Sequence, residues 1–434
     1  MTIKGLFGKL TTFLKSESTF FKDVSFVFGG KVIVAILALI LTPIIARLYL
    51  PESYGEFAIY NTIVQNLVVL GTLSLPLAIS TVKKDEIPKV FTLALAVILS
   101  FTLIFTPLIY VFRHLLDYSL STSIFSKYWY LIIAGFIISS GIAALAALNI
   151  RLKRFKLNTS VSVSEAFSAK LLNVGAGILN FGTIGLLISD VASKLINILI
   201  LILKFPDRSV FSFTNKTHLK ETLITQKEFP LYSMPSTWLA TLSNQIIILI
   251  VAFLYDKNVL GQLSMAISLL NIPLNMLSNS FQPVITERLV NLRDGEKSHR
   301  FYDKMLLIIS LISILGFTTI YLLPASFFTS FLGAKWSKIE TIVNLFCWYY
   351  IILFIDQTFQ SGFVVFSRQK SKLFFNIFDV VLLGIMSGFS ILYKVSFETL
   401  LIFFIVIKSI VSGSRVIYLW KISNYEQGSK RILR

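Results

Sequence analysis

The 434 residues carry 40 Lys and Arg against 22 Asp and Glu, a formal net charge of +18, yet 55% of positions are apolar and only 14% are charged. A soluble protein of this size has about a quarter of its residues charged, so a set of water-soluble domains is excluded as the main organisation. The single cysteine, Cys347, excludes an intrachain disulfide and a thiolate metal cage. His114, His218 and His299 lie far apart, and no metal site is expected.

In chain order, residues 1–23 come first, with Ile3, Leu6, Phe7, Leu10, Phe13 and Leu14 at helical spacing between lysines, a pattern expected of an amphipathic helix on an anionic membrane surface. Twelve apolar stretches follow, near 24–48, 56–80, 89–112, 128–150, 158–182, 183–203, 229–254, 259–285, 305–331, 341–366, 373–393 and 399–420. About 20 apolar residues cross a hydrocarbon core of ~30 Å. The expectation is therefore an all-α membrane protein with about twelve transmembrane helices.

The polar stretch 204–228 divides the chain into an N-lobe (24–203) and a C-lobe (229–420), and 421–434 forms a basic tail. The even-numbered connections and both tails hold 28 Lys and Arg, counting Lys89 at the edge of the third stretch. The odd-numbered connections hold six: Arg113, Lys127, Lys257, Lys335, Lys338 and Lys394. Cationic loops stay on the cytoplasmic side, so both termini are expected there. The positive charge reads as a topology device, and nucleic acid is not an expected partner.

The two halves match locally at an offset of 206: Ala46, Leu48, Tyr49 and Gly55 correspond to Ala252, Leu254, Tyr255 and Gly261. Each block forms the hairpin between the first two spans of its half, the pattern of an internal duplication. Two pseudo-symmetric six-helix bundles around a central cavity, rocking to give alternating access, are expected. Proline recurs in spans 1–3 and 7–9 (Pro43, Pro76, Pro107, Pro235, Pro273, Pro283 and Pro324), where it bends helices. Arg47 and Glu52 are candidate anchors of an outer gate.

The segment from Leu41 through Thr42-Pro43, Ala46-Arg47-Leu48-Tyr49-Leu50-Pro51-Glu52 and Tyr54-Gly55 to Phe57 resembles the first-hairpin signature of the Wzx-like polysaccharide-biosynthesis flippases. These belong to the multidrug/oligosaccharidyl-lipid/polysaccharide exporter superfamily. Phe229-Pro230-Leu231-Tyr232-Ser233-Met234-Pro235, continuing through Leu242-Ser243-Asn244-Gln245, resembles that family's second-lobe signature. The resemblance implies export of undecaprenyl-diphosphate-linked oligosaccharide across a bacterial inner membrane. It implies a lipid-linked substrate, membrane lipids and a polysaccharide polymerase with its chain-length regulator as partners, and no bound cofactor. It leaves open whether the glycan is O-antigen, capsule or exopolysaccharide.

Charges within the spans are costly in lipid, so they are expected to face a bundle interior or a watered cavity. Lys31, Lys170, Lys194, Lys408 and Arg415 are candidate binders of a diphosphate or acidic sugar, because ammonium groups in a low-dielectric cavity attract anions strongly. Gln65, Asn271 and Asn275 are candidates for sugar hydroxyls, in a stripe of Ser268, Asn271, Asn275, Asn279 and Gln282 on one helical face. That stripe reads equally as interhelical hydrogen-bond glue.

Lys170, Asn173, Gly177 and Asn180 form a second stripe. Asp190, Asp356, Asp379 and Glu165 are candidates for coupling to an H+ or Na+ gradient, and pairing with the lysines is the alternative reading. A multidrug exporter of the same superfamily is the competing transporter reading. A membrane polymerase or glycosyltransferase needs a larger external loop than the connection near 113–127, and no GxxxxGK[ST] phosphate loop is present. No enzymatic activity is expected.

Overall fold

The computed structural model describes residues 29–205, 216–291, 296–366 and 368–431. The amphipathic segment expected at 1–23, the centre of the linker and the end of the basic tail lie outside them. Among the described residues the regular structure is helical throughout, as lipid demands of a chain whose backbone groups must bond within their own segment.

The N-terminal half contains α1 (Gly29–Leu48), α2 (Pro51–Thr72), α3 (Leu75–Thr81), α4 (Ile87–Ser119), α5 (Ile124–Arg151), α6 (Phe155–Ile178) and α7 (Gly182–Leu203). After α8 (Lys216–Thr225) in the linker, the C-terminal half contains α9 (Met234–Leu254), α10 (Lys257–Asn291), α11 (Glu296–Tyr321), α12 (Ala325–Leu332), α13 (Ile339–Phe359), α14 (Gly362–Val365), α15 (Gln369–Tyr393) and α16 (Phe397–Arg431).

Ten of the helical segments are long and apolar enough to cross a membrane, and the α2–α3 pair makes an eleventh. The twelfth expected span, α6, is equally long but falls outside that set. Its Asn158, Thr159, Ser162, Ser164, Glu165, Ser168 and Lys170 make it the polar member of its bundle. Such a helix is tolerated in lipid only where neighbours or water cover its polar face.

The second span is bent by 56° between α2 and α3. Leu73 and Ser74 at the break have φ of 49° and 56°. Left-handed geometry costs roughly 1–2 kcal/mol per L-residue. Packing of Leu75, Ala78 and Ile79 against Leu145 and Leu148 of α5 offsets it. The stretch expected as one ninth span is two helices. Pro324, with extended backbone, ends that span, and α12 turns away to form a short separate helix. Of the prolines assigned to spans, Pro43, Pro107, Pro273 and Pro283 sit inside helices, Pro76 occupies a first turn, where the missing N–H matters least, and Pro235 follows directly on the π-helical turn Phe229–Ser233 within one continuous span.

The repeat read from the sequence is a symmetric contact in three dimensions. α2 and α10 begin at Pro51 and Lys257, which are 206 positions apart, and they cross at their N-terminal turns. A Cβ added to Gly261 would lie 1.8 Å from the carbonyl oxygen of Pro51, and one added to Gly55 would lie 2.6 Å from that of Lys257. Each glycine thus receives the backbone of the equivalent position in the other half. The crowding at these glycines is thus between the halves and not within either hairpin.

The crossing is sealed by side chains. Asn258 donates to Glu52 at 2.8 Å, again between equivalent positions, and Lys257 meets Glu56 at 2.8 Å. Thr183 of α7 donates to the other oxygen of Glu56 at 2.6 Å. From above, Arg47 donates to the carbonyl of Ser330 on α12, and the Trp336 indole donates to that of Ala46 at 2.8 Å. All odd-numbered connections gather at this hairpin end. The cation-rich connections gather at the opposite end, where Arg151 donates to the carbonyl of Val82 and Arg154 to that of Lys204.

Replacing Gly261 by Leu should hold α2 and α10 apart. A cysteine placed at Ser53, which is buried beside the crossing, is then expected to react with a membrane-impermeant maleimide at least several-fold faster than in the Gly261 background. Equal rates would show that the crossing does not close this end.

Candidate functional site

At the cationic end the halves separate, and a cavity of about 570 Å³ lies between them. Its walls come from three helices. α1 presents Lys31 with the small residues Ala35 and Ala38, and α6 presents Asn158, Thr159 and Ser162. α10 presents Ser268, Asn271, Asn275 and Asn279, successive positions of one helical face. Four members of the stripe read from the sequence therefore line a lumen. Asn271 also accepts a bond from the Tyr350 hydroxyl at 3.1 Å, so it serves as glue and lining together.

Lys31 is exposed to this cavity and has no ion-pair partner among the described residues. The hydroxyl and amide groups of α6 were missed by sequence reasoning. The density of Ser, Thr and Asn between positions 158 and 168 was the available signal.

The expected convergence of Lys31, Lys170, Lys194, Lys408 and Arg415 on one vestibule is not what the structure contains. Lys170 lies against α1, where its ammonium reaches Thr42 at 3.4 Å. The rest of its stripe also packs against the first hairpin: the Asn173 carbonyl accepts from the Tyr49 hydroxyl at 2.8 Å, and Gly177 meets Leu48 and Tyr49. A polar face on α6 thus serves two purposes, its first half facing the cavity and its second half docking α1.

Lys194 is tied to Asp190 at 2.7 Å one turn away, and the Tyr60 hydroxyl donates to the same carboxylate oxygen at 3.1 Å. Glu165, across from α7, accepts a bond from Asn197 and has no ion pair among the described residues. Gln65 accepts from Gln245 at 2.6 Å, and Gln245 in turn accepts from Asn66 at 2.8 Å, an amide bridge between α2 and α9. Gln65 therefore joins the halves and is not among the cavity's walls.

Lys408 and Arg415 are buried in the C-terminal half with the two aspartates expected to couple ions. The Lys408 ammonium bonds Asp379 at 2.9 Å, Ser243 at 2.7 Å and Asn244 at 3.1 Å. Arg415 reaches Asp356 at 3.3 Å, Asn376 at 3.1 Å and Asp379 at 3.6 Å. Two cations face two carboxylates, so the cluster is neutral as a whole. A buried ion pair is weak evidence of net stabilisation, but removing one partner strands the other at about 3–5 kcal/mol.

The site residues thus separate by their partners. Lys408→Met is expected to destabilise the purified protein by about 3–5 kcal/mol, with partial recovery when Asp379→Asn is added. Lys31→Met, which leaves no carboxylate stranded, should stay within about 0.5 kcal/mol of wild type. Denaturant unfolding in detergent measures both, and a large loss at Lys31 would place that residue in the scaffold.

Comparison with known proteins follows this geometry. The family model for polysaccharide biosynthesis proteins matches residues 44–341, more than half of the chain. No curated protein matches. Among solved structures, the chain is similar to an inward-facing multidrug resistance MATE family transporter of the MOP superfamily (TM-score 0.69, 14% identity, 92% of this chain and 99% of that one). It is also similar to the lipid II flippase MurJ in an inward closed conformation (TM-score 0.64, 18% identity, 93% and 90%). A third similar structure is the eukaryotic MATE transporter AtDTX14 (TM-score 0.60, 13% identity, 94% and 98%). At such identities the likeness is one of fold. The family match, which spans the hairpin, the crossing and the cavity helices α6 and α10, is of a different kind: the chain belongs to the polysaccharide biosynthesis protein family.

Proposed function

We propose that the protein is a flippase that moves undecaprenyl-diphosphate-linked oligosaccharides from the cytoplasmic to the outer leaflet of a bacterial inner membrane by alternating access. The observation that carries this reading is the asymmetry of the cleft. It is closed by backbone contact at the hairpin end and open at the cationic end, where Lys31, with no ion pair among the described residues, faces a wall of amides and hydroxyls. The cationic end is the cytoplasmic one by the retention of Lys- and Arg-rich loops, so the cavity faces the leaflet in which lipid-linked precursors are assembled.

The chemistry follows from the lining. A diphosphate carries about two negative charges and is prohibitively costly to move through hydrocarbon unaided. Lys31 supplies a point charge that attracts it without the bidentate grip of an arginine, which suits a cargo that must be released. Asn271, Asn275, Asn279, Thr159 and Ser162 offer donors and acceptors to sugar hydroxyls and leave the identity of the repeat unit loosely specified. Release requires α2 and α10 to part at Gly55 and Gly261, with loss of the Glu56–Lys257 pair and the Gln65–Gln245 bridge.

Among the carboxylates expected to couple this cycle to an H+ or Na+ gradient, Glu165 is the one that forms no ion pair among the described residues, although Lys194 lies near enough to act on it. It stands on the cavity helix α6, so we assign coupling to Glu165 ahead of Asp190, Asp356 and Asp379. A polymerase and its chain-length regulator would take up the delivered units.

Cells lacking the protein should accumulate lipid-linked repeat units in the cytoplasmic leaflet, with wild type clearing them. Loss of one charge-assisted bond is worth about 1.5–3 kcal/mol, so Lys31→Ala should slow clearance roughly 10- to 100-fold while membrane levels of the protein stay normal. Unchanged lipid-linked intermediates in the deletion strain would remove the proposal.

A further inference from the structure

A second cavity, about 320 Å³ in volume, lies away from the cleft on the outer face of the C-terminal half, lined by Tyr321, Glu340, Thr341, Asn344, Leu345 and Trp348. Five of these occupy one face of α13 over its first three turns, at spacings of four and one. They run from the hairpin end of the molecule inward. Tyr321, the last residue of α11, closes the groove by packing edge-on to Trp348, with ring centroids 5.6 Å apart and planes at 62°. Although the two rings touch, they remain 39% and 61% exposed. The side-chain oxygen of Asn344 is buried with no hydrogen-bond partner.

The donor and acceptor inventory selects a ligand class. Glu340 offers only acceptors, the orphan atom of Asn344 is an acceptor, and Thr341 can serve either way. No Lys or Arg lines the groove, so phosphate and carboxylate ligands lack a counter-charge there. The ligand must supply several donors. It must also present a flat apolar surface to Trp348, whose side chain is 61% exposed. A quaternary or primary ammonium is favoured where ring faces surround it, and a single T-shaped pair does not make such a box. A pyranose ring has the required shape: axial C–H groups for the indole and a rim of hydroxyls for Glu340, Thr341 and Asn344.

The other half has an aromatic pair at the corresponding place, Tyr110 with Trp129 between α4 and α5 at 5.6 Å. There Arg113 covers the Tyr110 ring at 4.0 Å, and the pair carries a cation where the C-terminal groove carries acceptors. Two interfacial aromatic pairs fit a general belt at the membrane surface. The acceptor-rich groove beside only one of them does not follow from a belt.

We propose that this groove is a carbohydrate site that holds the neutral sugar headgroup of a glycolipid in the leaflet at the hairpin end. The sugar stacks on Trp348 and donates hydroxyl hydrogen bonds to Asn344 and Glu340. The site is separate from the cleft and does not depend on which cargo crosses it.

The test uses the full-length protein in phosphatidylcholine nanodiscs doped with a diacylglycerol monoglucoside, with phosphatidylethanolamine as competitor, and counts retained lipids by native mass spectrometry. Wild type should retain the glucolipid in preference, and Trp348→Ala and Asn344→Leu should each lower retention by about tenfold, the loss of one or two hydrogen-bonding or stacking contacts. Tyr110→Ala and Lys31→Ala should leave it unchanged, which separates this site from the belt and from the transport route. Thermal melting of each variant confirms that it folds. Equal retention by wild type and Trp348→Ala overturns the proposal. So does preferential retention of phosphatidylethanolamine that is lost in Glu340→Gln, because the groove would then be an ammonium site.

Discussion

The meeting of α2 and α10 at Gly55 and Gly261 governs the rest of the architecture. Two helix starts, each the second span of its half, approach until backbone touches backbone, which only residues without a Cβ permit. Because the halves are related by a repeat, the contact is reciprocal, and Glu52 and Asn258 complete it from equivalent positions. Closure at one end of two rigid bundles leaves the other end apart, so the cavity lined by α1, α6 and α10 is a geometric consequence of the crossing. α12, made by the break at Pro324, adds a strap over the closed end through Arg47 and Trp336.

Charge inside the membrane is handled in two ways. In the C-terminal half, Lys408, Arg415, Asp356 and Asp379 neutralise one another in a water-poor interior, where each ion's desolvation is offset by a partner of opposite sign. In the N-terminal half, Asp190 and Lys194 do the same. Lys31 is left open to the cavity. The distinction matters functionally because a cation already engaged by carboxylates has little left to offer an anionic passenger. An ammonium open to the cavity, with no ion pair among the described residues, keeps its attraction for a passing anion.

A polar stripe on a membrane helix marks an environment without naming it. The stripe on α10 faces the lumen, the polar positions Lys408, Ser412 and Arg415 on α16 close on aspartates from α13 and α15, and the stripe on α6 changes partner halfway along. All three show the same spacing in sequence. Their surroundings differ because the facing helices come from distant parts of the chain, and spacing along one helix carries no information about what lies opposite. Glu56 and Lys257 were overlooked for the same reason: 201 positions separate two residues that form the closed gate.

Hydropathy, loop charge and the 206-residue offset were enough to establish a helical membrane protein of two related halves and its hairpins, while the resemblance to its family was carried by the motifs at those hairpins. These are properties of composition and local order, set by the demand that lipid-exposed backbone be bonded within its own segment. Which cations are paired, which polar faces meet water, and that the cleft opens at the cationic end were decided only by tertiary packing. Those features depend on pairwise distances between helices, and a Coulomb attraction or a missing Cβ acts over a few ångströms between residues that the sequence keeps hundreds of positions apart.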